Sequence, residues 1–227
     1  MKKLAVIGGA LVLSSSLFAQ TITKWTFETS QPAGTAATLS ASPEIGTGTG
    51  SGVHASSATV YSSPAGNGST HSFSANTWAV GDYWQFQSST LGFEHISVSY
   101  DQVSSATGPG LFDFSYSIDG TSFTTLSSGY TVLANATPNP VWNTTTASSI
   151  YTFTYDLSSI AALDNANTVY FRLTDSSTTS ANGGTVATAG TSRVDNFTIS
   201  VVPEPHSAAL MLGGMLLVGW QMVRRKR

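Results

Sequence analysis

Leu111-Phe112-Asp113-Phe114-Ser115-Tyr116-Ser117-Ile118-Asp119-Gly120-Thr121-Ser122-Phe123 is the stretch that decides the fold class. Apolar and polar residues alternate. An extended chain therefore puts Phe112, Phe114, Tyr116 and Ile118 on one face and Asp113, Ser115 and Ser117 on the other. Asp119-Gly120 supplies a turn, because glycine accepts positive φ and a type I′ turn matches the twist of the flanking strands. The stretch predicts a hairpin over residues 111–126.

The same period-2 pattern recurs on both sides. Ile22-Thr23-Lys24-Trp25-Thr26-Phe27 predicts the first strand. Trp84 and Phe86 share a face, as do Ile96, Val98 and Tyr100. Later strands carry Tyr151, Phe153, Tyr155 and Leu157, then Val169, Phe171 and Leu173, with a single helical turn over residues 158–163 between them. The last strand, residues 193–201, has Phe197, Ile199 and Val201 in phase and Val194 out of phase, so a bulge is expected near Asp195-Asn196. No long amphipathic helix interrupts this series. Short strands with polar turns predict an all-β fold, a two-sheet sandwich of jelly-roll-like form. Residues 28–72 are rich in Ser, Thr, Gly, Ala and Pro and read as partly flexible. Within them Gly46-Thr47-Gly48-Thr49-Gly50-Ser51-Gly52 reads as a loop. It matches no phosphate-cradling glycine motif.

The charge distribution excludes one class of partner. Between the two termini, residues 21–202 hold three cations (Lys24, Arg172, Arg193) against eleven acids, a net charge of −8. Such a domain repels a phosphate backbone, so nucleic-acid binding is not expected. There are no cysteines, which removes disulfides and thiolate chemistry. The fold must rest on its apolar core.

Both ends read as targeting segments. Met1-Lys2-Lys3, an apolar run over residues 4–13, and small residues up to Ala19 form a secretory signal, residues 1–19, with cleavage expected after Ala19. Leu17, three residues before that cut, is bulkier than usual there. Signal peptidase and the secretion translocon are the implied partners. The other end, residues 202–227, reads Val202-Pro203-Glu204-Pro205-His206, then an uncharged apolar run over 207–223, then Arg224-Arg225-Lys226-Arg227. Seventeen residues span roughly 25 Å as a helix, slightly short of a hydrocarbon core of about 30 Å. Thinning and outward-reaching basic side chains cover such a mismatch. The basic cluster is expected to stay cytoplasmic, which puts residues 20–201 outside the inner membrane. Pro203 and Pro205 donate no backbone hydrogen bond and hold their predecessors extended, leaving an accessible strip before the apolar run.

That tail resembles the PEP-CTERM sorting signal of Gram-negative bacteria, with Pro-Glu-Pro, short apolar helix and basic end in the same order; His206 stands where the family often has Ser or Thr. The resemblance implies a substrate of an exosortase-type membrane enzyme acting near Pro203-Glu204-Pro205. It also implies transient anchoring, then release to the cell surface or extracellular matrix, in association with exopolysaccharide and biofilm. A second resemblance covers residues 81–200: Thr107-Gly108-Pro109, the 114–120 segment, Tyr170-Phe171-Arg172 and Arg193-Val194-Asp195-Asn196-Phe197 are similar to lectin-type jelly rolls. It transfers no binding residue.

No catalytic constellation is legible. There is no GxSxG, HExxH or CxxC, and the four histidines are scattered, with His54 and His71 expected at the surface of the flexible segment. An enzyme is not expected, nor is a cofactor or a metal site. Asp195 and Asn196 carry oxygens suited to calcium, though shaping a bulge explains them better. Displayed polysaccharide binding is the alternative function. Trp78, Tyr83, Tyr130 and Trp142, in or beside loops, are its candidates, since aromatic faces stack on sugar rings; sealing the sandwich ends is the competing role for each.

Overall fold

A computed structural model describes residues 19–202. Thirteen strands follow one another in this region: β1 Thr21–Trp25, β2 Gly34–Thr35, β3 Thr38–Ala41, β4 Gly48–Val53, β5 Val60–Ser62, β6 Phe73–Ala75, β7 Tyr83–Ser88, β8 Ile96–Ser104, β9 Leu111–Ser117, β10 Thr124–Thr131, β11 Thr152–Asp156, β12 Val169–Asp175 and β13 Ser192–Val201. They form two antiparallel sheets. One has the order β11-β8-β13-β6-β5-β2, with β1 also paired to β13; the other runs β10-β9-β12-β7-β4-β3. The fold is an all-β sandwich. Among the described residues the only helical elements are two single 3-10 turns, one of them at Ala161–Leu163, where a helical turn is predicted. No helix among the described residues is long and apolar enough to cross a membrane.

The predicted alternation sets the layers. In β7 and β12 every second residue is buried: Trp84 and Phe86, then Val169, Phe171 and Leu173. Inward rings from the two sheets meet. Phe197 of β13 stacks on Phe86 of β7 at 3.7 Å between centroids, and Phe73 of β6 lies 4.6 Å from Trp84. Tyr100 of β8 lies 5.8 Å from Phe114 of β9. These aromatics form one continuous core, and each contributes roughly 2 to 3 kcal/mol by removal from water.

The predicted bulge in β13 is present. The register slips between Asp195 and Thr198, and Asn196 takes a φ of 51°. The extra residue lets both Val194 and Phe197 face the core.

Three local expectations need correction. The glycine run is not a flexible loop. Residues 48–53 are a strand between β3 and β7, with Gly50 paired to Phe86 and Gly52 to Trp84. Gly50 and Gly52 are buried, and the space their side chains would fill is taken by rings; at Gly48, in the same phase at the exposed end of the strand, it is taken by the Gln87 carbonyl and Trp25. A methyl at Gly52 would lie 2.5 Å from Tyr61 and 2.7 Å from Trp84; at Gly50, 3.0 Å from Phe86 and 3.1 Å from Trp25. Tyr61 completes the contact by donating its hydroxyl to the Gly52 and Ala37 carbonyls. Elsewhere in residues 28–72, His71 pairs with Glu28 at 3.3 Å, and β2, β3 and β5 lie there. Low side-chain volume here marks close packing.

The hairpin over 111–126 forms, but its turn is not type I′. Of Asp119 and Gly120 only Gly120 has positive φ, and the connection runs from Ser117 to Thr124. The Asp119 carboxylate closes it by accepting from the Thr121 and Ser122 amides at 2.8 Å and from the Ser117 hydroxyl. The strand ends one turn early, so Ile118 is 54% exposed and does not join Phe112 and Phe114 inside. Finally, His54 is buried, against the expectation of a surface histidine. Its Nδ1 lies 3.1 Å from Asp82, and its ring sits edge-on to Trp78 at 4.3 Å.

Candidate functional site

The predicted sorting residues meet the described structure only at its last position. Val202 donates its amide to the His95 carbonyl at 2.8 Å, one residue beyond the end of β13. Pro203, Glu204, Pro205 and Arg224, Arg225, Lys226 and Arg227 lie outside the described residues, as do residues 1–18 and the 207–223 apolar run. The compact unit spans Gln20–Val202.

The four predicted sugar-binding aromatics are not brought together. Trp78 is buried against Trp84 and Phe112, and its indole N–H donates to the Ala75 carbonyl. Trp142 is buried with Val103 and Tyr151, and its N–H is held by the Ala65 carbonyl at 2.6 Å. Both indoles therefore have their polar edge satisfied and their faces covered, which makes them seals of the sandwich. Tyr130 is half-buried, 4.8 Å from Phe153, with its hydroxyl donating to Gln102 at 2.6 Å. Burial pushes its pKa well up. Tyr83 alone lies on the outer face of a sheet.

Around Tyr83 the structure assembles a group that sequence reading missed. The outward residues of β12, β7, β4 and β3 fall into rows by register. Arg172, Gln85, Ser51 and Ser40 form one row across these four strands, and Tyr170, Gln87 and Thr49 form the next; on β9 the rows end at Ser115 and Ser117, which are buried. Arg172 is the cation of this face. Its Nε–H donates to the Gln85 side-chain oxygen at 2.7 Å. Tyr83 lies 4.1 Å from the guanidinium carbon, and Phe123, reaching over from the β9–β10 connection, lies at 3.7 Å. Rings on such a guanidinium attract it by their quadrupoles and fix its plane. Partial burial pulls the guanidinium pKa below its ordinary value. Among the described residues no carboxylate is paired with Arg172, and the two ion pairs both involve histidine. The Tyr170-Phe171-Arg172 alternation tells that Arg172 points outward. That Phe123 would arrive above it depends on the fold of the connection.

Two buried polar clusters serve the architecture. Asp195 at the bulge accepts from the Asn67 amide, the Ser69 hydroxyl and both nitrogens of Asn196, whose side chain also donates to Asp101. Desolvation still raises its pKa to about 6. These oxygens shape the bulge, and no group of three or more His, Cys, Asp or Glu among the described residues is placed to hold a metal. At the other end of β12, Asp175 is buried with one carboxylate oxygen unpartnered, and burial plus the neighbouring Asp82 charge raise it to about 6. Asp82 is held low despite its burial by His54 and by the amides of Ala55 and Ala79.

No protein-family model matches the chain, and no curated protein matches it. Among solved structures it is similar to the K2 cleaved adhesin domain of Lys-gingipain, at 16% identity over 63% of this chain and 82% of that one, with a TM-score of 0.37. The K3 cleaved adhesin domain of Lys-gingipain from Porphyromonas gingivalis is similar at 13% identity, over 78% of this chain and 97% of that one, with a TM-score of 0.38. The enzymatically active domain of tailspike protein 4 from bacteriophage CBA120 matches at 14% identity over 57% of this chain and 15% of its own, with a TM-score of 0.30.

Proposed function

We propose that this chain is an exported, non-enzymatic surface protein of a Gram-negative bacterium. In this reading its β-sandwich is delivered by an N-terminal signal and sorted through the C-terminal Pro-Glu-Pro tail as a substrate of an exosortase-type enzyme. The mature domain then resides at the cell surface or in an exopolysaccharide matrix. The observation that carries the reading is the coincidence of boundaries. The compact unit begins at Gln20, directly after the predicted cut, and ends at Val202, directly before Pro203. The terminal strand is fully engaged up to Val201 by β8 and β1, and Pro203 has no N–H with which to continue the ladder. The motif therefore follows a closed domain in sequence, as a processing site should. Successive strands from β7 to β13 pass repeatedly between the two sheets, which supports the jelly-roll-like form of the reading.

Fractionation of cells expressing wild type and a Pro203→Ala/Glu204→Ala/Pro205→Ala variant tests it. Wild type is expected to be shortened and released from the inner membrane, and the variant to stay full length within it. Identical size and location for both would remove the processing claim.

A further inference from the structure

We infer that the outer face of the β10-β9-β12-β7-β4-β3 sheet binds a polysaccharide carrying isolated uronate groups, with Arg172 receiving the carboxylate. The inference deepens the matrix-associated reading above but rests on the sheet's own chemistry.

A guanidinium has five N–H donors in a planar fork that matches a carboxylate two bonds at a time. In Arg172 the Nε donor is spent on Gln85, and the two rings hold the fork's plane. An arginine so fixed has lost much of its rotamer freedom before any ligand arrives, which lowers the entropic cost of binding. Charge is the second argument. Residues 21–202 hold eleven acids, and none of them pairs with Arg172. In a chain with so many carboxylates available, a partly desolvated cation without one is matched to an anion from outside.

The surroundings select the kind of anion. The neighbouring outward positions are hydroxyls and amides: Gln85, Ser51 and Ser40 in the arginine's own row, Gln87 and Thr49 in the next. These groups suit the hydroxyls of neutral sugars on either side of a uronate. The four strands from β12 to β3 give the exposed row a length of roughly 14 Å at the usual strand spacing, so the face accepts a few sugar units laid across the strands. The net charge of −8 sets the spacing of the ligand's acids. It repels a polymer charged at every unit and tolerates one whose acids are separated.

The test is affinity electrophoresis of the purified 20–202 domain through gels containing gellan, xanthan or partly esterified pectin, each beside its carboxyl-reduced form. Wild type is expected to be retarded by at least one native polymer and to run freely through its reduced form. Arg172→Gln should weaken that retardation at least tenfold, and Arg172→Lys, which keeps the charge but loses the fork, should fall between. Asp113→Asn, on the same face but engaged with the β10 edge through Ser128 and Gly129, should retain it. Thermal unfolding of each variant confirms folding. Free migration of wild type through all the native gels would overturn the inference. So would equal retardation by native and reduced polymer, unchanged retardation of Arg172→Gln, or stronger retardation by poly-glutamate than by any polysaccharide. Sorting in cells is read separately, so either reading can fail without the other.

Discussion

Alanine at Gly48, Gly50 or Gly52 distinguishes a packed strand from a mobile loop by the sign of its effect. In a mobile loop, Gly→Ala stabilises by about 0.4 to 1 kcal/mol, because it restricts the unfolded chain. In β4 the new methyl has nowhere to go. At Gly52 it meets two fully buried rings, Tyr61 at 2.5 Å and Trp84 at 2.7 Å, and displacing Tyr61 also disturbs its hydroxyl bonds to Ala37 and Gly52. Overpacking of this kind costs roughly 1 to 3 kcal/mol, so after the entropy gain a net loss of about 2 kcal/mol is expected. At Gly48 the methyl would sit 2.2 Å from the Gln87 carbonyl oxygen, so the β4–β7 pair itself must open and the loss is larger. Gly50, with its nearest contact at 3.0 Å to the edge of Phe86, should lose least. For a domain of this size about 1 kcal/mol moves the melting midpoint by roughly 2 to 4 °C. Gly52→Ala should therefore melt about 4 to 8 °C below wild type, Gly48→Ala lower still, and the outward Ser51→Ala close to wild type. Near-ultraviolet circular dichroism of the 20–202 domain reads all four. If Gly48→Ala and Gly52→Ala both melted at or above wild type, the strand assignment and the packing argument would be wrong.

Other perturbations follow from the same core and its buried acids. Phe197→Ala removes the ring stacked on Phe86 and beside Trp25 and Tyr100, and should cost about 3 to 5 kcal/mol in urea unfolding. Trp142→Phe keeps most of the apolar volume but leaves the Ala65 carbonyl without its donor; about 1 to 2 kcal/mol is expected, with polysaccharide retardation unchanged. Asp175 and Asp195 have folded pKa values raised to about 6. Between the unfolded value near 4 and about 6 the unfolded chain holds fewer protons than the folded one, so these two groups make stability fall as pH rises through that window. The fall is on the order of 3 kcal/mol for each group. Asp82 and Glu44 are held low and act oppositely, losing stability only below the ordinary carboxylate range. Urea unfolding should thus give a maximum on the acid side of neutrality and lower stability at pH 7.5 than at pH 4.5; a steady rise over that interval would contradict the burial of these two acids. Asp175→Asn should remove about half of the slope.

Much of the architecture was legible in the period-2 runs because alternation determines which face is apolar, and an apolar face must find another. The β13 bulge was legible for the same reason: Val194 and Phe197 cannot both face inward without an extra residue. What escaped sequence reading depends on partners distant in the chain. The β4 glycines resemble a linker until Trp25, Tyr61, Trp84 and Phe86 are seen occupying their inner face. For Trp78 and Trp142 the sequence left two roles open, a platform for sugar or a seal of the sandwich end, and the Ala75 and Ala65 carbonyls capping their buried indoles decide for the seal. His54 lies in a stretch of small residues, and only the fold brings Asp82 beneath it. Arg172 showed its outward orientation in the local alternation, while its two aromatic clamps come from β7 and from a connection whose path the Asp119 carboxylate sets.

Intact mass spectrometry of the protein recovered from outside the inner membrane tests the sorting account most directly. The account predicts a mature chain that starts at or near Gln20 and ends close to Pro203-Glu204-Pro205, lacking residues 207–227. A surface protein whose mass still includes Arg224 to Arg227 would contradict it.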